Sequence, residues 1–135
     1  MTRSDISSKL SKNGVAPTPQ RVEIAAILFE RPQHLSADQI LDTLRRTGSK
    51  VSKATVYNTL HLFGEKGLVR EVNVDPTRTF FDSTTEPHHH FYNVDSGELS
   101  DIPAGAIDVA GMPELPSGTE RESVEVLIRV RNRKS

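Results

Sequence analysis

The strongest constraint on the fold lies in residues 49–82, where a helix with a polar face is followed by two alternating segments. Ser52 can cap a helix whose apolar residues recur at helical spacing until Gly67 ends it. Segments 68–74 and 78–82 then alternate between apolar and polar residues, as expected for two strands joined by a short turn. A helix followed by such a hairpin is typical of the recognition helix and wing of a winged helix-turn-helix domain.

The outward face of this helix carries groups that can recognise DNA. Its hydroxyl, amide and aromatic side chains can contact base edges and thymine methyl groups, and its lysine can contact phosphate. The residues on this face are Lys53, Thr55, Tyr57, Asn58 and His61. Arg70 and Arg78 in the hairpin can reach phosphates, which would strengthen binding without selecting a sequence. An ordinary amphipathic helix is the alternative interpretation of the same pattern.

Three shorter helices are predicted before the recognition helix. Residues 6–13 form the first of them. Thr18 caps the second, Pro19 occupies its first position and Pro32 ends it. A capping box begins the third, which spans residues 37–46. This order predicts an α+β chain whose N-terminal domain is a winged helix-turn-helix.

The chain beyond the hairpin predicts a small α/β domain. Residues 88–94 and 98–102 form a hairpin, and residues 124–131 form a final strand. Prolines and glycines limit any helix between them to residues 106–110. Three strands and at most one short helix are too few to enclose a hydrophobic core. We therefore expect this domain to complete its core in a homodimer.

Charge also differs along the chain. Residues 1–82 carry 12 Lys and Arg against 9 Asp and Glu, whereas residues 83–135 carry 5 against 9. This asymmetry is compatible with a DNA-binding domain at 1–82 joined through a linker at 83–87 to a dimerisation and sensing domain at 88–135.

Three of the five histidines stand together as His88, His89 and His90. Side chains alternate in an extended segment, so His88 and His90 should point to one side and His89 to the other. The chain contains no cysteine, so a metal must be bound by nitrogen and oxygen. Such ligands suit Mn²⁺, Fe²⁺ or Zn²⁺. A solvated loop is the alternative interpretation.

Several motifs recur in a known order and spacing. They are Pro17-Thr18-Pro19-Gln20-Arg21, His34-Leu35-Ser36-Ala37, residues 54–60, Gly67-Leu68-Val69, Phe81-Asp82 and His88-His89-His90. Together they resemble the ferric uptake regulator (Fur) family, and residues 88–92, 101–103 and 126–131 are most similar to its iron response regulator (Irr) branch. The resemblance implies a dimeric winged-helix repressor that binds AT-rich palindromic operators in double-stranded DNA and responds to a metal or cofactor.

The resemblance also implies a regulatory metal site shared by the two domains. Its ligands would be His34, Asp82, His88, His90 and Asp101. Both carboxylates stand where the family usually has Glu. Considered without the resemblance, His34 would be interpreted as an exposed loop residue. Closure of the site would fix the angle between the domains and thereby control DNA binding.

Other family sites are incomplete in this sequence. A structural zinc site of four cysteines is not expected, since Asn93 and Ser96 occupy the positions of its first pair. Pro87 and His89 stand at two ligand positions of a second His/Asp site, which leaves Asp108 as its candidate ligand. Haem would need a histidine ligand among residues 88–90, and a substitution of His89 would separate haem sensing from metal binding.

The resemblance refines the predicted DNA contacts. Tyr57 occupies the position of the family's thymine-reading tyrosine, Asn58 replaces a frequent arginine, and Ala16 replaces a minor-groove lysine. Other basic residues should then contribute more of the affinity. The full predicted set is Lys12, Arg21, Lys50, Ser52, Lys53, Thr55, Tyr57, Asn58, Arg70 and Arg78.

These features predict a metal- or haem-responsive repressor of iron and haem homeostasis genes. A peroxide- or manganese-responsive regulator of the same family is the alternative. A metalloenzyme using Asp82, His88 and His90 is a third possibility, but the sequence offers no general base beyond the ligands, so we do not expect an enzyme. No apolar run reaches transmembrane length, and no signal peptide opens the chain, so a soluble cytoplasmic protein without a membrane partner is expected.

Overall fold

The computed structural model describes residues 1–134, and the chain divides into two compact units. The first comprises Met1–Thr85 and the second Glu86–Ser135. Among the described residues, no helix has the length and apolar character needed to cross a membrane.

Side-chain caps begin all four helices of the first unit. Thr18, Ser36 and Ser52 each accept a hydrogen bond from the backbone N–H three residues later, as predicted. The first helix begins earlier than predicted because Thr2 and Asp5 form a capping box, and the Thr2 N–H holds the pKa of the Asp5 carboxyl below its usual value. The helices are α1 (Arg3–Lys12), α2 (Pro19–Leu28), α3 (Ala37–Arg46) and α4 (Lys53–Glu65).

The apolar faces of these helices form one core. In α4, Val56, Leu60 and Phe63 are fully buried, and the Phe63 ring stacks on Phe29 with ring centroids 6.5 Å apart. Thr59 is buried on the same side of α4. The polar residues of α4 are therefore left to the opposite face of the helix.

A three-stranded antiparallel sheet completes the first unit. Its strands are β1 (His34–Ser36), β2 (Arg70–Asp75) and β3 (Arg78–Asp82), in the order β1-β3-β2. Strands β2 and β3 form the predicted hairpin. The prediction of a two-stranded wing missed β1, because three residues are too few to show alternation and its partner is distant in sequence.

The second unit is built on another three-stranded sheet. Its strands are β4 (His90–Asn93), β5 (Leu99–Asp101) and β6 (Leu127–Val130). Strand β4 lies in the centre, antiparallel to β5 and parallel to β6. The prediction of a helix at 106–110 is wrong, since residues 86–134 contain no helix. Five residues cannot offset the cost of nucleating a helix without strong packing, and residues 108–110 are exposed.

Several large apolar side chains of the second unit remain exposed. They are Val94, Val109, Met112, Leu115, Ile128 and Val130. The buried apolar residues of this unit are few by comparison: Tyr92, Leu99 and Ile102. A unit with so small a core is stabilised when a partner covers its apolar surface.

Asn93 fastens the turn between β4 and β5 to the segment after β6. Its Oδ1 accepts hydrogen bonds from the backbone N–H groups of Asp95 (2.9 Å) and Ser96 (3.1 Å). Its Nδ2 donates to Asn132 Oδ1 at 2.9 Å. The backbone N–H of Asn132 donates in turn to the Asp95 carboxylate at 2.8 Å. The polar cluster therefore holds the turn and the segment after β6 together.

Replacing Asn93 with alanine is expected to lower the unfolding free energy of the second unit by about 1 to 2 kcal/mol, because the turn loses both acceptor bonds and the link to Asn132. Urea unfolding, monitored by Tyr92 fluorescence in a Tyr57→Phe background, measures this loss of unfolding free energy. Asn132→Ala is the matched control, since it removes the side-chain bond to Asn93 and keeps both the turn and the backbone bond to Asp95. An equal loss in both variants would contradict a role for Asn93 in the turn.

Candidate metal centre and DNA-binding surface

Two histidines and one carboxylate converge in the second unit. His90 begins β4 and pairs in register with Asp101 of β5, and His88 lies two residues earlier on the same side. The Nε2 atoms of His88 and His90 lie 3.2 Å and 3.4 Å from Asp101 Oδ1. One ligand atom from each of the three residues lies within 4.8 Å of the others. The predicted convergence of His88 and His90 thus occurs within this unit.

A backbone hydrogen bond selects the tautomer of the His88 ring. His88 Nδ1 lies 2.8 Å from the carbonyl oxygen of Glu86. Because a carbonyl oxygen can only accept, Nδ1 carries a proton, and in the neutral ring Nε2 then has its lone pair free of a proton. The Asp101 carboxylate oxygen faces this Nε2 atom, so either a proton on Nε2 or a cation near both atoms would make the approach favourable. Fixing one ring nitrogen so that the other can bind a metal is typical of ligand histidines.

The spacing of the three ligand atoms fits a first-row metal ion. An ion at about 2.1 Å from each ligand separates neighbouring ligand atoms by about 3.0 to 3.4 Å in octahedral or tetrahedral geometry. The two observed separations are 3.2 Å and 3.4 Å. Imidazole nitrogen and carboxylate oxygen are suitable ligands for manganese, iron or zinc.

The first unit carries its own pair of candidate ligands. His34 in β1 lies directly opposite Asp82 in β3, so both side chains point to the same face of that sheet. Asp82 is buried and its Oδ1 accepts the backbone N–H of Thr84 at 2.9 Å. The His34 ring packs edge-on against Phe80 with centroids 6.3 Å apart. His34 is therefore a half-buried strand residue, which corrects its interpretation as an exposed loop residue.

His89 and Asp108 belong to no such cluster in the described part of the chain. His89 Nδ1 accepts the backbone N–H of Val126 at 2.9 Å, so the proton of a neutral ring is at Nε2. Metal or haem ligation by this ring would require a proton shift and the loss of that bond. Asp108 is exposed in an irregular segment.

The N-terminal half of α4 presents the predicted DNA-reading residues. Asn58 is exposed, whereas Tyr57 is half-buried and packs against the core. The ammonium of Lys53 lies 5.8 Å from the centroid of the Tyr57 ring and 3.2 Å from the Asp38 carboxylate. The Ser52 hydroxyl donates to Thr55 Oγ1 at 2.9 Å. Lys53 would have to leave Asp38 to contact a phosphate.

A groove of about 630 Å³ lies between the first turn of α2 and α4. It brings Arg21 close to Thr55 and Asn58, and Gln20 also lines it. The Arg21 guanidinium donates to the Ala16 carbonyl at 3.1 Å. Gln20 was not among the predicted DNA contacts, and its place in the motif at residues 17–21 was the signal for it.

The remaining basic candidates lie at different places on the first unit. Lys12 ends α1, Lys50 is exposed before α4, and Arg78 is exposed beside the hairpin turn. Arg70 lies at the opposite end of the hairpin, in register with Asp82, and donates to the Thr85 carbonyl at 3.4 Å. Arg70 is thus next to a candidate metal ligand and away from the wing turn.

His61, the fifth histidine, contacts a carboxylate and an aromatic ring of the hairpin strands. Its Nδ1 lies 2.9 Å from Glu71 Oε1, and its ring packs edge-on against Phe81 with centroids 6.1 Å apart. His61 is nevertheless exposed on the surface of α4.

Four capped helices with a β-hairpin, followed by a small β unit with a His/Asp cluster, define a winged-helix protein with a separate second domain. The chain belongs to the ferric uptake regulator family, whose sequence model matches residues 12–124. Members of this family are transcription regulators and not enzymes. They bind DNA and are dimers.

Two curated relatives are peroxide regulators. The peroxide operon regulator of Bacillus subtilis is 35% identical over 99 residues, covering 73% of this chain and 68% of the relative. The peroxide-responsive repressor PerR of Staphylococcus saprophyticus is 34% identical over 98 residues, covering 73% of this chain and 66% of the relative. The chain spans about two thirds of the length of these relatives. The resemblance to the Irr branch therefore stays a prediction.

Solved structures share the fold. The ferric uptake regulator from Pseudomonas aeruginosa with manganese has a TM-score of 0.69 and 27% identity, covering 95% of this chain and 98% of that chain. The ferric uptake regulator of Vibrio cholerae has a TM-score of 0.72 and 20% identity, covering 93% of this chain and 98% of that chain. At this identity the comparison shows similarity of fold alone.

Proposed function

We propose that this protein is a dimeric, metal-responsive transcriptional repressor that binds operator DNA through α4. The observation that carries the proposal is the arrangement of His88, His90 and Asp101, in which both Nε2 atoms approach one carboxylate oxygen and the other nitrogen of His88 is held by a backbone carbonyl. Such an arrangement suits a bound cation.

The complete metal site would use His34 and Asp82 from the first unit together with His88, His90 and Asp101 from the second. Three nitrogens and two carboxylates suit Mn²⁺, Fe²⁺ or Zn²⁺. A metal bound by both units would restrict their relative orientation. In a dimer, that orientation decides whether two copies of α4 reach successive major grooves. The ion would supply positive charge that neutralises the carboxylates, while the chain supplies the geometry.

Two classes of signal are candidates for the effector. The names of the B. subtilis and S. saprophyticus relatives support a response to peroxide, and the manganese in the P. aeruginosa structure supports that ion as ligand. Control of iron and haem genes is supported by the resemblance of residues 88–92 to the Irr branch. Haem ligation at His89 has less support, since its Nδ1 already accepts the Val126 N–H.

DNA specificity is tested by selecting duplexes from a randomised pool with the full chain, once with Mn²⁺ and once with chelator. We expect enrichment of AT-rich palindromes in one of the two conditions. Enrichment of no sequence in either condition, with a dimeric and folded protein, would contradict the proposal. Fluorescence anisotropy with the selected duplex and a scrambled duplex of equal composition then gives the specificity ratio at a stated salt concentration.

The effector is tested on the protein–DNA complex. Hydrogen peroxide should release DNA from the Fe²⁺-loaded protein and not from the Mn²⁺-loaded protein if peroxide is the signal, because only iron reacts readily with it. Haem titration followed by absorbance, with His89→Ala as the comparison, tests the haem alternative. A haem spectrum unchanged by His89→Ala would exclude His89 as its ligand.

A further inference from the structure

The end of α2 is closed by a side chain from the segment that leads into β1. The last carbonyl groups of a helix have no partner within it and need another donor. Gln33 Nε2 donates to the carbonyl oxygens of Ile27 at 2.7 Å and Leu28 at 3.4 Å. Gln33 directly precedes the candidate ligand His34. The backbone that leads into His34 is therefore hydrogen-bonded to the C-terminal end of α2.

A second set of hydrogen bonds joins Gln33 to Ser83. The backbone N–H of Ser83 donates to the Gln33 carbonyl at 3.0 Å, and the backbone N–H of Gln33 donates to Ser83 Oγ at 3.1 Å. The Ser83 hydroxyl lies 3.1 Å from the Gln33 carbonyl oxygen and 3.4 Å from that of Arg31. Ser83 directly follows the other candidate ligand, Asp82. The two sheet partners His34 and Asp82 are therefore flanked by a hydrogen-bonded pair of neighbours.

We propose that Gln33 and Ser83 are positioning residues, which hold the His34–Asp82 ligand pair in register and connect it to α2. This inference rests on the proposed metal site. Strand β1 has only three residues, so its pairing with β3 has few backbone hydrogen bonds of its own. The Gln33 and Ser83 side chains supply further bonds next to the two ligands. The first turn of α2 lines the groove beside α4, so the ligand pair is connected to the DNA-binding surface within one unit.

Mn²⁺ titration of the full chain tests this inference. Ser83→Ala removes the hydroxyl and Gln33→Glu removes the donor to the end of α2, and each should weaken Mn²⁺ binding about 10- to 100-fold, as is typical for residues that orient metal ligands. Ser83→Thr keeps the hydroxyl and should bind Mn²⁺ as the unchanged protein does. Thr84→Ala is the matched neighbour control, because the bond from Thr84 to Asp82 uses the backbone.

A double-mutant cycle distinguishes positioning from general stability. In a His34→Ala background, Ser83→Ala should cause a smaller loss of Mn²⁺ affinity than in the unchanged protein, since one member of the pair that it holds in register is already absent. An equal loss in both backgrounds, or unchanged affinity in Ser83→Ala, would overturn the inference. If Ser83→Ala does not fold, Gln33→Glu carries the same cycle. Failure of the unchanged protein to bind Mn²⁺ would instead refute the proposed function.

Discussion

Replacing His88 with alanine is expected to weaken Mn²⁺ binding by more than about 100-fold, since removal of a direct ligand should exceed the effect of removing an orienting residue. The substitution deletes the imidazole whose Nε2 lies 3.2 Å from Asp101 Oδ1 and leaves His90 and Asp101 in place. Isothermal titration calorimetry with Mn²⁺ measures the loss. DNA binding by this variant should no longer depend on added metal.

His61→Ala is the control for the His88 experiment. His61 is also a partly exposed histidine with a carboxylate partner, Glu71 at 2.9 Å, but it lies in α4 and belongs to no ligand cluster among residues 1–134. The Mn²⁺ affinity of the His61→Ala variant should equal that of the unchanged protein. Equal losses in the His61 and His88 variants would show that the titration reports nonspecific binding to histidine.

Replacing Tyr57 with alanine should weaken binding to the selected operator by about 1 to 3 kcal/mol while the dimer persists. The ring lies on α4, near Lys53, where it can contact a base in the major groove. Because Tyr57 also packs against the core, Tyr57→Phe is needed to separate the contribution of the hydroxyl from that of the ring. Anisotropy with operator and scrambled DNA measures the specific component.

Sedimentation of the Tyr57→Ala variant provides the second readout. A dimer that persists, with affinity lost for the operator more than for scrambled DNA, supports a base contact. Dissociation of the dimer would contradict the assignment of α4 as the recognition helix. Equal loss on both duplexes would indicate a phosphate contact or general destabilisation.

The parts of the fold that depend on neighbouring residues were predictable from the sequence. Thr18, Ser36 and Ser52 begin helices because each side chain reaches a backbone N–H three residues away. Strand β1 was missed because its pairing joins His34 to Asp82, far along the chain, and no local pattern marks it. Residues 106–110 were wrongly predicted as a helix because a short apolar stretch carries no signal that packing will stabilise it.

The candidate site also has features that local sequence predicts and features that it does not. Alternation along an extended segment was sufficient to predict that His88 and His90 share a side. The pairing of His34 with Asp82 was implied by the family resemblance, because a lone histidine after a proline has no local signature of a ligand. The roles of Gln33 and Ser83 required coordinates, since glutamine and serine side chains can form such bonds in many loops.

We expect metal binding and DNA binding to be coupled, and thermodynamic linkage makes this coupling measurable in one quantity. The affinity of Mn²⁺ should differ between the free protein and the protein bound to its selected operator, by the same factor by which Mn²⁺ changes operator affinity, on the order of 5- to 150-fold. Equal Mn²⁺ affinities in the two states, with the protein dimeric and folded, would contradict control of DNA binding by this metal site.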